Sequence, residues 1–305
     1  MDEALIACRA VHFAAAMLLF GAAAFRVYGV AGADPALLPV LDARLRGLLL
    51  IAAIAALLSA LALVPCVAAT MAGTASAAFD RHTISAVLFD TGFGRVWCWH
   101  LAAAALLVVA WTVRRVSVAW RMALAAVLLA SLGGIGHAAA GRGVNGLGHE
   151  ANDAVHLLAG GLWLGGLVPL GALAIRAQQA DGRAWIGLLQ RALPRFSRVT
   201  YGAVALVALS GIVNAALLLG GIDALTQTAY GRLLLIKLSL VLLLLALAVI
   251  NRLILVPRIG GSERPRSAAV ALSGTIALEL MIGLAIIAVV GILGTLPPAI
   301  HTHPH

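Results

Sequence analysis

The chain has 305 residues, of which 63% are hydrophobic and 11% are charged, and its mean hydropathy is +1.05. A soluble domain carries about 25% charged residues, so this composition excludes a water-soluble globular protein and favours one that lies in lipid. The net charge of +9 comes from arginines, most of them in short loops between apolar segments. That distribution is typical of membrane orientation rather than of a phosphate-binding surface, so no nucleic-acid partner is expected.

Eight apolar segments, each of about 20 residues, are long enough to cross the hydrocarbon core of a bilayer. They predict an all-α, polytopic membrane helix bundle, with membrane lipid around it, that forms a single transmembrane domain over residues 1–305. The first segment is expected to be retained, because Asp2 and Glu3 do not form the positive start of a signal peptide. The predicted helices cover residues 4–28, 46–69, 96–113, 118–138, 154–175, 197–220, 232–256 and 269–296.

The distribution of arginine predicts the orientation of the bundle. Fifteen arginines lie in or beside the first, third, fifth and seventh loops between the predicted helices, whereas five lie on the opposite side. Loops rich in Arg and Lys stay in the cytoplasm, so both termini are predicted to be periplasmic. The short His-rich tail over residues 297–305 would then also be periplasmic.

Histidine and sulfur side chains gather on the side opposite to the arginine-rich loops. Imidazole, thiolate and thioether groups suit copper in its two oxidation states, so this asymmetry favours a metal site at the outer face. The candidate nitrogen ligands are His12, His100, His137, His149 and His156, and the candidate soft ligands are Cys8, Cys66, Cys98 and Met71.

These candidates also have structural alternatives. A single histidine in a membrane helix is more often a hydrogen-bonded packing residue than a ligand. Cys66 and Cys98 can instead form a disulfide in an oxidising compartment. The tail histidines are either a weak metal site or a free end; they are His301, His303 and His305.

Spacing predicts which candidates share a helix face. Cys8 and His12 are four residues apart and therefore lie on one face. His149, Asp153 and His156 share a face if the fifth helix begins near His149. If that helix begins instead at the capping residues 152 or 153, His149 belongs to the preceding loop.

Three polar residues fall inside apolar segments: Glu279, Lys237 and Asn214. A charge at the centre of the membrane costs at least about 2.5 kcal/mol, so these side chains are expected to face the interior of the bundle. They indicate either an ion or proton path, or a buried pair of Glu279 with Lys237 or Arg9.

Gly161 and Gly165 form a GxxxG motif on the fifth predicted helix. Small residues at this spacing let two helix backbones approach closely, so the motif predicts a tight helix contact.

Four segments of the chain carry a recognisable pattern. They are Gly136-His137-Ala138-Ala139, the HLLAGGLWLGGL segment that begins at His156, Arg195-Phe196-Ser197-Arg198, and the segment from Tyr230-Gly231-Arg232 to Lys237. Together they resemble the copper resistance protein D (CopD) family over at least residues 130–290, and His12 in the first helix also fits the family.

The resemblance implies a multi-pass protein of the bacterial inner membrane that moves copper, as Cu(I) or Cu(II), usually into the cytoplasm. It also implies a periplasmic copper-binding partner of the CopC type, and no such domain is fused to this chain. The family residues that carry over are His12, His137, His156 and Lys237. Nothing in the sequence resembles a hydrolase or kinase site, so the protein is not expected to be an enzyme.

Two functional hypotheses follow. In the preferred one, outer histidines capture copper and the bundle passes it inward; no ATP-binding loop is present, so transport would use a gradient or copper capture at the far side. The alternative is a haem b electron-transfer protein, with two histidines on facing helices as axial ligands. A weaker third hypothesis is a structural subunit of a membrane complex.

Overall fold

The computed structural model describes residues 2–135, 144–179, 182–261 and 265–301. Within these ranges the chain is almost entirely helical and contains no β-strand. The helices are α1 (Asp2–Tyr28), α2 (Leu37–Ala72), α3 (Arg81–Phe89), α4 (Gly92–Thr112), α5 (Val118–Ser131), α6 (Val144–Ala177), α7 (Arg183–Leu219), α8 (Ala224–Gln227), α9 (Ala229–Ile250), α10 (Val256–Gly261) and α11 (Pro265–Leu293). A π-helical turn over Asn251–Leu255 joins α9 to α10.

Seven helices in the described ranges are long and apolar enough to cross a membrane: α1, α2, α4, α6, α7, α9 and α11. The eighth apolar segment is shorter, because α5 has 14 residues and ends in a 3-10 turn over Leu132–Gly134. The prediction of an all-α, polytopic membrane bundle is confirmed. The predicted starts of α2, α6 and α7 were too late, since these helices begin 9, 10 and 14 residues earlier, in more polar stretches that extend beyond the apolar spans.

The long loop between the second and third predicted helices contains structure that the sequence pattern did not predict. A 3-10 turn over Ala75–Phe79 leads into the short helix α3. Asp80 caps α3 by accepting from the hydroxyl group of Thr83 at 2.5 Å and from its backbone amide at 2.9 Å. These two bonds hold the pKa of the Asp80 carboxyl below its ordinary value.

Arginines at one end of the bundle bind backbone carbonyls where helices end. Arg46 donates to the Thr112 carbonyl oxygen at 2.9 Å, and Arg121 donates to that of Ala110 at the same distance. Arg195 donates to the Ala31 carbonyl oxygen at 2.5 Å. The last carbonyls of a helix lack partners within the helix, so these arginines stabilise helix ends as well as set the predicted orientation.

A close helix contact joins α1 to α6 at three glycines. A Cβ atom on Gly21 of α1 would lie 2.2 Å from the Gly161 carbonyl oxygen. One on Gly165 would lie 2.1 Å from the carbonyl oxygen of Met17. Both distances are far inside van der Waals contact, so only glycine fits, and the predicted role of the GxxxG motif is confirmed.

Replacing Gly165 with valine should push α1 away from α6. Overpacking of a tight contact costs about 1–3 kcal/mol, and we expect a lower melting temperature in detergent, measured by differential scanning fluorimetry. Gly274→Val is the matched control, because a Cβ atom at Gly274 would meet nothing within 4 Å. Equal melting temperatures for the two variants would contradict the glycine contact.

Candidate functional site

His12 of α1 and His100 of α4 form a buried pair in the N-terminal half. Their Nε2 atoms lie 2.8 Å apart, and each residue is 1% exposed. His12 Nδ1 lies 3.0 Å from the Ala56 carbonyl oxygen and 2.9 Å from the Ser59 hydroxyl oxygen of α2. His100 Nδ1 lies 2.7 Å from the hydroxyl oxygen of Ser131, at the end of α5. Four helices therefore meet at this pair, and all four ring nitrogens have a polar partner.

The hydrogen-bond pattern assigns the protons of this neutral network. A carbonyl oxygen only accepts, so His12 carries its proton on Nδ1 and presents a lone pair at Nε2. His100 then donates from Nε2 to His12, and its Nδ1 atom accepts the hydroxyl proton of Ser131. Ser59 accepts from His12 and donates to the Ala55 carbonyl oxygen at 2.6 Å.

Trp97 holds the plane of the His100 imidazole. The two rings stack with centroids 4.5 Å apart and an interplanar angle of 8°. The Trp97 Nε1 atom donates to the Ala60 carbonyl oxygen at 3.0 Å, which fixes the indole against α2. His100 therefore keeps its Nε2 atom directed at His12.

The three cysteines are free thiols, and two of them are neighbours. The Cys8 and Cys66 thiols are close enough to interact, and the suggested disulfide between Cys66 and Cys98 is not formed in this structure. Cys8 precedes His12 by one helical turn, about 6 Å along α1. Cys98 is exposed and Met71 is 61% exposed, so neither belongs to the buried site.

His156 of α6 belongs to a second polar cluster, between α6, α7 and α9. Its Nδ1 atom lies 2.8 Å from the Ser210 hydroxyl oxygen. Ser210 itself donates to the Leu206 carbonyl oxygen at 2.5 Å, so it accepts from His156. Nε2 of His156 therefore presents a lone pair that has no hydrogen bond from another described residue.

Asn214 connects α7 to the carboxylate of Asp153. Its Nδ2 atom donates to Asp153 Oδ1 at 2.5 Å, and its Oδ1 atom accepts from Asn152 at 2.6 Å. Lys237 of α9 lies close enough to both Asp153 and His156 to interact electrostatically. Two of the three predicted interior polar residues, Asn214 and Lys237, thus face the same cluster.

His149 lies on α6 and not in a loop, because the helix begins at Val144. Its Nε2 atom is 4.0 Å from the Asp153 carboxylate, one turn further along. Of the two alternatives for the start of this helix, the one in which His149, Asp153 and His156 share a face is confirmed.

Glu279 is buried in α11 and bonded to neither of its suggested basic partners. Its carboxyl oxygen accepts from Asn251 Nδ2 at 2.5 Å. Lys237 is in the cluster near the start of α9, and the guanidinium group of Arg9 donates to the Gly294 carbonyl oxygen. Of the two alternatives for Glu279, the buried ion pair with Lys237 or Arg9 is therefore wrong.

Some candidate ligands belong to neither of the two polar clusters. His137 lies outside the described residues, as do His303, His305 and the side chain of His301. His82 is exposed on α3. Among the described residues, no three His, Cys, Asp or Glu side chains converge closely enough to hold a metal ion. The buried site is therefore a two-nitrogen pair.

Sequence reasoning missed the residues that position the imidazoles. Ser59 and Ser131 are isolated hydroxyls in apolar segments, and a polar residue in such a segment usually faces other helices. Trp97 precedes His100 by three residues, a spacing that places both on one face. These sequence features indicate that the side chains face other helices. Which hydroxyl group meets which histidine depends on helix packing.

Two family descriptions match the chain. "Copper resistance protein D-like, N-terminal domain" covers residues 1–147, and "Copper resistance protein D" covers residues 190–293. The first match extends the similarity over the helices that carry His12 and His100, beyond the segments that showed it in the sequence.

Three relatives are similar to the chain. Inner membrane protein YebZ of Escherichia coli strain K12 is 34% identical over 294 residues, which cover 96% of this chain and 98% of the relative. Copper resistance protein D of Pseudomonas syringae pv. tomato is 31% identical, with 97% of each chain covered. Copper transport protein CutJ of Bacillus subtilis strain 168 is 28% identical over 48% of this chain and 25% of its own length. No solved structure matches the chain significantly.

The fold defines a multi-pass helical protein of the inner membrane, and its buried polar groups lie where several helices meet. The chain belongs to the copper resistance protein D family. Its role is in copper handling.

The contact between Cys8 and Cys66 predicts a specific cross-link. Mild oxidation of the purified protein should join these two thiols, and non-reducing digestion with mass spectrometry would detect the linked peptides. Cys98→Ser should leave the cross-link intact, whereas Cys66→Ser should abolish it. A product that links Cys98 to Cys66 would contradict the observed arrangement.

Proposed function

We propose that this protein transports copper across the inner membrane, and that His12 and His100 form the ligand pair through which Cu(I) passes. The observation that carries the proposal is the approach of two imidazole Nε2 atoms to 2.8 Å inside the bundle of a copper resistance protein D family member. Imidazole nitrogen is an established copper ligand. Cu(I) accepts two nearly opposed ligands, so a histidine pair is a sufficient site for it.

Copper entry requires the two rings to separate. Metal–nitrogen bonds of about 2.0 Å place two nitrogen ligands about 3.3–4 Å apart, depending on the angle at the metal. The observed 2.8 Å is the distance of a hydrogen bond. A shift of about 1 Å between α1 and α4 therefore converts the closed pair into a metal site.

The hydroxyl groups around the pair allow this change without a net loss of protons. When copper takes the Nε2 lone pair of His100, the Nε2 proton must move to Nδ1. Ser131 then accepts from His100 Nδ1 and donates to the Leu128 carbonyl oxygen, which already lies 2.8 Å from its hydroxyl oxygen. His12 needs no change, because its Nδ1 proton is already on the Ala56 side. A metal-bound histidine with its second nitrogen hydrogen-bonded is the usual arrangement.

A neutral histidine pair suits passage rather than storage. Bound Cu(I) would leave one uncompensated positive charge among apolar side chains, so binding is moderate, and a transported ion must be able to leave. Cys8 and Cys66 lie one turn closer to the predicted outer face and supply soft sulfur ligands. We infer that copper meets this thiol pair before it reaches His12 and His100.

Direction and partner follow from the predicted orientation and the family resemblance. The sulfur and nitrogen ligands lie toward the periplasmic ends of their helices, so we infer capture from the periplasm and release to the cytoplasm. The inferred donor is a periplasmic copper-binding protein of the CopC type. Because the cargo leaves chemically unchanged, we infer no enzymatic activity.

No observation favours the haem alternative at this pair. Axial ligation of haem iron by two histidines requires about 4 Å between their nitrogens, with a porphyrin ring in the plane between them. The His12 and His100 rings are instead in direct contact, and Trp97 covers one face of His100. Copper transport is therefore the function that this geometry supports best.

The test of the proposal is copper uptake into proteoliposomes. We expect His12→Ala, His100→Ala and the double variant to reduce the initial rate of Cu(I) uptake to that of empty liposomes. His82→Ala is the matched control, because His82 is exposed on α3. Uptake by the double variant at the wild-type rate would remove the pair from the transport path.

Ser131→Ala should weaken Cu(I) binding while the two histidines remain. Loss of a hydrogen-bonding partner behind a metal-bound histidine lowers affinity by about 10–100-fold. Competition with a chromophoric Cu(I) chelator measures this change. Ser239→Ala is the control, because that hydroxyl is exposed on α9 and bonds only to its own helix, at the Leu235 carbonyl oxygen. Equal affinities for the two variants would contradict the proposed role of Ser131.

A further inference from the structure

A cavity of about 160 Å³ lies between α6, α7, the π-helical turn and α11. Its lining contains four buried polar side chains: Trp163, Thr200, Asn251 and Glu279. Asn251 follows the 22 residues of α9, about 33 Å along the helix at 1.5 Å per residue. The cavity therefore lies in the half of the membrane opposite to the cysteine pair, which is the predicted inner half.

Three of these side chains have a polar atom without a partner among the described residues: Trp163 Nε1, Thr200 Oγ1 and Asn251 Oδ1. A buried polar atom that lacks a hydrogen bond costs about 1–3 kcal/mol. Such atoms are normally satisfied by ordered water where a polar cavity has room for it. One donor, one acceptor and one hydroxyl group around a single cavity meet that condition.

Glu279 supplies the titratable group of this cavity. It is 2% exposed and accepts from Asn251 at 2.5 Å, and among the described residues it has no ion pair. An unpaired carboxylate in the apolar interior of a helix bundle is unfavourable. A bound proton removes the charge and retains the bond from Asn251.

The other charged or titratable groups that line the cavity are Tyr201 of α7 and Arg252 of the π-helical turn. They lie beside each other, with the Arg252 guanidinium carbon 6.0 Å from the centroid of the Tyr201 ring. Tyr201 is 59% exposed, so this pair marks the open side of the cavity. The segments α6, α9, α10 and α11 contribute no other titratable group to the lining, and α1 contributes no residue to it.

We propose that Glu279 and this cavity form a proton-binding site, in which water connects the Glu279 carboxyl group to Trp163, Thr200 and Asn251. The Arg252 side supplies the route for exchange with the cytoplasm. The site is formed by oxygen atoms and one indole N–H group, which do not suit Cu(I). Copper and the proton therefore use separate sites, and the π-helical turn, a feature frequent at functional sites, places Asn251 against Glu279.

The site also gives the proposed transport an energy source. Coupling requires that the proton reach Glu279 from the periplasmic side and leave by the Arg252 side, down the proton gradient across the membrane. This coupling rests on the proposed copper transport, whereas proton binding at Glu279 does not. The two claims therefore need separate measurements.

Proton binding is tested by labelling with N,N′-dicyclohexylcarbodiimide, which reacts with protonated carboxyl groups in apolar surroundings. We expect mass spectrometry of the intact protein in liposomes to place the adduct on Glu279, with labelling that falls as the pH is raised. Glu150, at the other end of the bundle on α6, is the internal control and should remain unlabelled. Glu279→Gln preserves the size of the side chain and should abolish the adduct.

Two results would overturn the proton site. One is a Glu279 that stays unlabelled at every pH in folded wild-type protein, and the other is labelling that does not change with pH. Thr200→Val supplies a second test: loss of one water partner should alter the pH at which labelling is half-maximal, while a melting curve verifies folding. An unchanged midpoint in folded Thr200→Val would remove Thr200 from the site.

Coupling is tested by copper uptake into proteoliposomes with and without an imposed pH gradient. We expect the gradient to accelerate uptake by the wild type and to have no effect on Glu279→Gln, whose Cu(I) affinity should be unchanged. Acceleration of both proteins would overturn the coupling. Absence of uptake by the wild type would instead contradict the proposed transport, and the labelling result would still decide proton binding.

Discussion

The close approach of α1 and α6 is the contact on which the rest of the bundle depends. In lipid, helices gain no hydrophobic stabilisation from association, so tight packing of small residues must hold them together. Gly21, Gly161 and Gly165 let the two backbones meet directly. Because α1 carries His12 and α6 carries His156, this contact also sets how the two polar clusters are placed in the protein.

Three histidines inside the bundle, His12, His100 and His156, are each bonded to a serine hydroxyl group. Ser59 and Ser131 serve the pair of His12 and His100, and Ser210 serves His156. A hydroxyl group is small, both donates and accepts, and can also bond to a carbonyl of its own helix. It can therefore change its partner when an imidazole changes its protonation or takes a metal, at little energetic cost. This property makes a rigid membrane bundle compatible with a site that opens and closes.

The two ends of the bundle differ in electrostatic character. The predicted inner end contains a cavity of about 530 Å³ whose basic lining residues are Arg26, Arg46, Arg114 and Arg121. Among the described residues of its lining, Asp42 is the only acidic one, and it forms an ion pair with Arg26 at 2.8 Å. A cation that left through this cavity would be repelled by like charges. The separate cavity beside Glu279 has one arginine at its open side. The electrostatic repulsion of a cation that moves toward the cytoplasm is therefore weaker in that half of the molecule.

The sequence by itself determined the membrane class, the number of apolar segments and a tight helix contact at Gly161 and Gly165, because hydropathy and small-residue spacing act over single helices. Resemblance in the sequence also indicated the family. Only the tertiary structure decided that His12 meets His100, that Cys66 meets Cys8 rather than Cys98, and that Glu279 bonds Asn251 rather than Lys237 or Arg9. These pairs join residues on different helices, and which faces meet depends on helix rotation and crossing, which the spacing of residues along one helix does not encode.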